Sequence, residues 1–378
     1  MSRAGIYIHI PFCRARCSYC DFATGAYDAA QVRLYVDALA AEIAAFALPL
    51  ALPEVETIYF GGGTPSLLTP AQVADLLQAV RARFRVTPAA EITMEMNPGT
   101  LQPATLGEYR RLGVNRASFG AQSFDDGELR QLGRTHTALD VRQTIQYLRD
   151  AGFDNVSFDL IAGLPRQTLA GWERNLDEAL ALRPEHLSFY LLEVHEGTPL
   201  ADQIKSGRQP VPDEDLAAQM YRLMLEKASA AGYEHYEISN LCLPGFESRH
   251  NSKYWLGEPV YGFGCSAHSY DGNLTRWANE RDAARYIELI EAGQTPVVET
   301  VELDEHDAAA EAVFLGLRLM RGINLNEHRA RFGEDLREKH APDLARLSDA
   351  GLLALQGDLM RLTRSGALLS NEVFTTFV

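Results

Sequence analysis

Cys13, Cys17 and Cys20 stand in the run Ile6–Phe22 with the spacing C-x3-C-x2-C, directly after a short apolar stretch. Three thiolates can hold three irons of a [4Fe–4S] cube and leave the fourth iron open. An open iron can bind a small molecule and pass it an electron. A structural zinc site is the competing reading. Zinc usually takes four protein ligands, often as two separated pairs, and no second pair follows within reach in the sequence.

Other residues could complete such a site. Gly61-Gly62-Gly63-Thr64-Pro65 offers exposed backbone N–H donors and lets a ligand approach the chain closely. Glu95 can accept hydrogen bonds from ribose hydroxyls or from a cationic group, Gln122 can be read the same way, Arg134 can clamp a carboxylate, and Asp159 can accept from ribose or amine. Taken singly, each is more often an ordinary surface or ion-pair residue. Taken together, they form a plausible pocket.

These groups need a frame that brings them together. Short β-rich runs at Gly5–Ile10, Thr57–Phe60, Glu91–Met96, Arg116–Gly120, Asn155–Leu160 and His186–Leu191 alternate with helical patterns. The helices fall near Ala29–Ala45, Ala71–Arg83, Ala104–Leu112, Ala138–Ala151 and Leu169–Leu182. Strand followed by helix, repeated, implies parallel strands with right-handed crossovers. A doubly wound sheet and an incomplete barrel both satisfy that order. The position of the chemistry favours the barrel, whose sites collect residues from the C-terminal ends of several strands. The cysteines, the glycine loop, Glu95, then Ser118, Gly120 and Gln122, then Asp159 and Ile161, then Tyr190 and Glu193 follow successive runs.

The expected organisation is a barrel core over residues 1–195, a barrel extension over 196–303, and a winged-helix-like domain over 304–378. The last part carries nine Lys and Arg against nine Asp and Glu from residue 311 onward. A DNA-reading winged helix is normally basic, so a packing or protein-contact role is expected.

The whole chain of 378 residues has a net charge of −16, which disfavours general nucleic-acid binding. It has no polybasic run for anionic lipid and no apolar run long enough for a bilayer. Free thiolates call for a reducing compartment. The first strand begins almost at once, which leaves no signal peptide in view. The expected location is the cytoplasm.

The cysteine spacing resembles that of the radical S-adenosylmethionine (SAM) superfamily. More specifically, Tyr7, His9, Phe12, the three cysteines, the glycine loop, Glu95, Gln122, Arg134, Asp159 and Ile161 resemble the pattern of oxygen-independent coproporphyrinogen III dehydrogenases and their relatives, the HemW-type heme chaperones. The resemblance runs over nearly the whole chain. It implies an α/β fold with a partial (β/α)6 barrel, one [4Fe–4S] cluster held by the three cysteines, and SAM. By motif position it makes Tyr7, Gly62, Gly63, Thr64, Glu95, Gln122, Arg134 and Asp159 candidates for the SAM pocket.

Two departures separate the branches. Asp21-Phe22 follows Cys20 where the dehydrogenase pattern continues as Gly-Cys, and the long N-terminal extension of the dehydrogenases is not seen. His250-Asn251-x-x-Tyr254-Trp255 matches the HNxxYW motif of the chaperone branch. A histidine can ligate heme iron and aromatic rings can stack on a porphyrin. Taken alone, the same motif reads as a packed loop with a structural histidine.

The resemblance therefore implies a heme chaperone that binds heme and passes it to an acceptor hemoprotein, with heme contacts at His250, Asn251, Tyr254 and Trp255. Cys242, Cys265, His235 and His268 are secondary candidates. The alternative is an enzyme that decarboxylates the propionates of coproporphyrinogen III oxidatively. On the chaperone reading no such oxidase activity is expected.

Overall fold

The computed structural model describes residues 3–47 and 53–377. Six parallel strands run in chain order: β1 (Arg3–Ile10), β2 (Glu54–Gly62), β3 (Val86–Met96), β4 (Arg116–Gln122), β5 (Val156–Ala162) and β6 (His186–Leu191). Short polar side chains mark where most of the connecting helices start. Asp28 accepts from the Gln31 N–H, Thr69 and Gln72 form a reciprocal cap, and Thr137 and Asp140 repeat it. Each such cap contributes about 1 kcal/mol.

Ile6, Ile8, Ile58, Phe60, Met94, Phe119, Phe158 and Leu187 are buried on these strands, under helices such as Ala29–Ala45 and Leu169–Ala181. Parallel strands covered on both faces read as nearly continuous apolar runs. That is why the β-rich runs were visible, and why their polar members stand out.

The sheet does not stop at six strands. Six more segments between residues 234 and 302 join it: β7 (Glu234–Glu237), β8 (Asn240–Cys242), β9 (Val260–Phe263), β10 (His268–Tyr270), β11 (Thr275–Asn279) and β12 (Val297–Glu302). The order is β12-β11-β10-β9-β1-β2-β3-β4-β5-β6-β8-β7. β9 pairs with β1 in parallel, with Tyr7 opposite Gly262, so a seventh parallel strand closes in from late in the chain. β8 pairs antiparallel with β6 on the other side. Residues 196–303 thus wrap around both edges of the sheet and share its core, which runs from Ala4 to Ile287.

The HNxxYW segment is a short helix, Arg249–Trp255. It is fastened beneath the sheet by charge. Glu91 on β3 accepts from the N–H groups of Arg249 (3.2 Å) and His250 (3.1 Å). Lys253, almost fully buried, donates to Glu56 on β2 and to Glu258, both at 2.6 Å.

The C-terminal part has its own apolar cluster around Leu317, Leu325, Leu347, Met360 and Val373, and a three-stranded sheet with Leu353–Gln356 paired to Leu359–Leu362. Its first helix, Glu305–Leu317, leads to Arg318, which returns towards the barrel mouth. No described helix is long and apolar enough to cross a membrane.

Lys253→Ala would leave Glu56 with Arg3 and Arg249, strip Glu258 of its pairing with Lys253, and loosen the motif helix. A buried ion pair broken on one side costs roughly 3 kcal/mol. We expect a loss of that order in urea unfolding monitored by circular dichroism, whereas Arg33→Ala, in an exposed pair with Asp37, is expected to change stability by under about 1 kcal/mol.

Candidate functional site

The loop after β1 carries the three cysteines. Phe12–Cys13 pairs with Gly25–Ala26, which ties the loop's ends together. The Ser18 N–H donates to the Leu132 carbonyl at 2.9 Å and fixes its middle. Cys13, Cys17 and Cys20 are partly buried, unbridged thiols that line a cavity of about 540 Å³.

The glycine loop lies on this segment because it has no side chains. A Cβ on Gly63 would stand 2.8 Å from the Phe12 carbonyl oxygen. Gly62 has φ of +110°, and a Cβ there would stand 2.6 Å from the His9 ring. At that distance Thr64 donates to Cys13 Sγ (3.5 Å), and Asn97 Nδ2 donates to Thr64 Oγ1 (2.7 Å). Arg134 Nη2 donates to Asn97 Oδ1 (2.7 Å) and to the Gly120 carbonyl (2.8 Å), while its Nη1 donates to Cys17 Sγ (3.3 Å). A continuous polar path therefore joins Cys13 to Cys17 through three strand ends.

Two carboxylates stand in the same cavity. Glu95 accepts from the Tyr59 hydroxyl (2.7 Å) and the Gly62 N–H (3.1 Å). Burial still raises it to about 7, with the charge of Asp159 adding to the shift. Burial likewise raises Asp159 to about 6. Gln122 sits at a bulge in β4 with φ of +65°, and its buried Oε1 has no hydrogen-bond partner. A strained residue with an unpaired acceptor marks a place where a ligand donor fits.

The cavity thus brings together the cysteines, Gly62, Gly63, Thr64, Glu95, Gln122, Arg134 and Asp159, and with them Ser118, Gly120, Ile161, Tyr190 and Glu193. Tyr7 lies on the same face of the sheet, outside the residues that line the cavity. Its hydroxyl meets His9 Nδ1 at 3.1 Å and its ring packs beside Tyr59. Asn97 is the member whose linking role the sequence did not disclose, because only folding sets it between Thr64 and Arg134.

The donor set fits the implied cofactors. Cys13, Cys17 and Cys20 bring three thiols to one cavity, one short of the four ligands of a closed zinc site and the number that leaves one iron of a cube open. Beside them, carboxylates, an unpaired amide oxygen and a glycine loop suit a ligand with hydroxyls, an amine and a carboxylate.

The HNxxYW residues fall elsewhere. His250 is buried, with Nδ1 bonded to Thr57 Oγ1 (2.9 Å) and Nε2 to the Tyr254 hydroxyl (3.2 Å). Its ring stacks on Tyr59 at 5.0 Å. Burial lowers it to about 3, with Lys253 and Arg116 adding to the shift, so it stays neutral. Both nitrogens of His250 are thus engaged within the protein. Asn251 lines neither cavity. Tyr254 and Trp255 border a second cavity, also of about 540 Å³. Trp255 also stacks under the Arg318 guanidinium (4.3 Å), which reaches the first cavity. Of the secondary candidates, Cys242 and Cys265 are buried thiols pushed up to about 12 by burial, and His235 lies outside both cavities. Only His268 lines one, the second.

Comparison with known proteins places this geometry. Residues 7–179 match the Radical SAM superfamily and residues 303–369 the HemN C-terminal domain. "Heme chaperone HemW" of Bacillus subtilis (strain 168) is 36% identical over 373 residues, covering 98% of each chain. The protein of that name from Mycobacterium tuberculosis (strain CDC 1551 / Oshkosh) is 38% identical, covering 99% of this chain and 94% of that one. The chain belongs to the HemW family of radical SAM proteins. Among solved structures, coproporphyrinogen III oxidase (HemN) from Escherichia coli superposes with a TM-score of 0.86 at 25% identity, covering 100% of this chain and 90% of that one. The α/β radical SAM barrel with its HemN-type C-terminal domain is therefore the fold of this chain, and the family implies a [4Fe–4S] cluster and SAM.

Two outcomes follow. Ala at Cys13, Cys17 or Cys20 is expected to abolish the visible iron–sulfur absorbance after anaerobic reconstitution. SAM affinity, measured by calorimetry on the cluster-loaded protein, is expected to be full above pH 7 and to fall as pH drops through about 7, because protonated Glu95 no longer attracts a cation. Glu95→Gln is expected to flatten that profile.

Proposed function

We propose that this protein binds heme and delivers it to an acceptor hemoprotein, using a radical SAM barrel that carries a cluster and SAM. The observation that carries the reading is the placement of Tyr254 and Trp255 of the HNxxYW helix on a second cavity, separate from the cysteine-lined one. Relatives named heme chaperones, similar over almost the full length, support it.

The residues divide the work. Cys13, Cys17 and Cys20 would hold the cluster, and Gly62, Gly63, Thr64, Glu95, Gln122, Arg134 and Asp159 would hold SAM. When bound, the cluster supplies an electron for reductive cleavage of SAM. Thr64 and Arg134 donate to Cys13 Sγ and Cys17 Sγ and so hold both sulfurs in place. Glu95, kept by the Tyr59 hydroxyl and the Gly62 N–H, is a fixed acceptor at the ligand. His250 orients Tyr254 through one nitrogen and braces against β2 through the other. The acceptor would be met from outside, with no membrane-crossing helix of this chain's described residues involved.

Oxidative decarboxylation of coproporphyrinogen III is the second reading, favoured by the close superposition on HemN. Asp21-Phe22 after Cys20 argues against it, because the fourth cysteine of that pattern is lacking. The two are separated by anaerobic incubation of the reconstituted protein with SAM, a reductant and coproporphyrinogen III, beside an active dehydrogenase. The mass of the porphyrinogen is expected to stay unchanged, while added heme binds and passes to an apo-hemoprotein. Loss of two carboxyl groups per molecule would establish the enzyme instead.

A further inference from the structure

Resting on the heme reading above, we propose that the second cavity is the heme seat and that His268, rather than His250, offers its imidazole to the iron. The cavity forms between three elements. One wall is a face of the β10–β12 ladder. Ser269 Oγ accepts from the Gly262 N–H (2.8 Å), inside the sheet. Side chains alternate along a strand, so His268 and Tyr270 turn to the opposite face. The register sets His268 against Ala278 and Tyr270 against Arg276, and then Arg276 against Val301. The second wall is Tyr254 and Trp255, and Leu315 of the helix Glu305–Leu317 closes the third.

This is the chemistry a metalloporphyrin requires. Aromatic and aliphatic surfaces cover its faces, and cofactor cavities occupy about 300–1,000 Å³. An accessible imidazole can meet its iron. His268 is exposed and, among the described residues, its ring makes no hydrogen bond, whereas both nitrogens of His250 are taken. Arg276, over the Tyr270 ring at 5.0 Å, is a cation for a propionate. Of the acids on the wall, Glu258 is held by Lys253 and Glu311 by Arg276, which leaves Glu299 exposed on the edge strand. The propionate would share Arg276 with Glu311. On this assignment His250 is a positioning residue that aims Tyr254 at the seat.

The test is a hemin titration of the full-length, cluster-loaded protein, read by the Soret band and by tryptophan quenching. His268→Ala is expected to shift the Soret maximum and weaken binding roughly tenfold or more, and added imidazole is expected to restore the wild-type spectrum. Val301→Trp fills the cavity from an exposed edge-strand position without disturbing the core, and is expected to block binding. His250→Ala is expected to weaken binding while leaving the Soret position unchanged. If wild type binds heme and both His268→Ala and Val301→Trp bind it with the same spectrum and affinity, the seat is elsewhere and the heme reading survives. A wild-type spectrum in His268→Ala with binding blocked in Val301→Trp overturns the ligand assignment. If wild type binds no heme at all, the heme reading itself falls.

Discussion

The site hangs on the contact between two loops that have no room for side chains between them. Gly63 lies against the backbone of Pro11 and Phe12, and its N–H donates to the Ile10 carbonyl at 2.8 Å. That approach sets Thr64 within reach of Cys13. From Thr64 the path continues through Asn97 and Arg134 to Cys17. Two of the three cysteines are thereby fixed by strands β2 and β3 and the segment after β4, rather than by their own loop. A Cβ at Gly63 would push the glycine loop away and break this path at its first link.

A second constraint is electrostatic. Glu95 and Asp159 face into the barrel, where burial raises both. Burying carboxylates costs free energy unless they are paired, and the fully buried Arg116 on β4 offsets only part of that cost by lowering both. A cationic, hydroxyl-bearing ligand would offset more. Gln122, held at a positive φ with an unpaired oxygen, is a further group left unsatisfied until something binds.

The HNxxYW helix bridges the two cavities. His250 stacks on Tyr59, which donates to Glu95 in the first cavity, and bonds to Tyr254 on the second. Trp255 lies under Arg318, which lines the first. Lys253 and Glu91 hold this helix to β2 and β3 through charge. A side chain in the motif can therefore matter to either cavity without lining it.

Much of this was legible in the sequence. Six parallel strands with polar residues at their ends follow from alternating apolar runs and helical periods, because strands covered on both faces have nowhere to hide a polar group except at a site. The cysteine spacing, the glycine loop, Glu95, Gln122, Arg134 and Asp159 are local patterns, and they meet in one cavity. What stayed hidden depends on pairings between distant segments. β9 joins β1 in parallel from more than two hundred residues away. Tyr7 stands opposite Tyr59 across the β1–β2 pair and packs on it, and the Tyr59 hydroxyl is the one that reaches Glu95. His250 reads in the motif either as a ligand or as a structural histidine, and Thr57 on β2 and the i+4 neighbour Tyr254 claim both of its nitrogens. His268 carries no motif, and only the ladder of β10, β11 and β12 sets it on a cavity wall. The sequence by itself determined which residues could do chemistry and which elements would carry them, since spacing and periodicity are local. The tertiary structure alone decided which of those side chains face a cavity, since that depends on register, crossover and burial across the whole sheet.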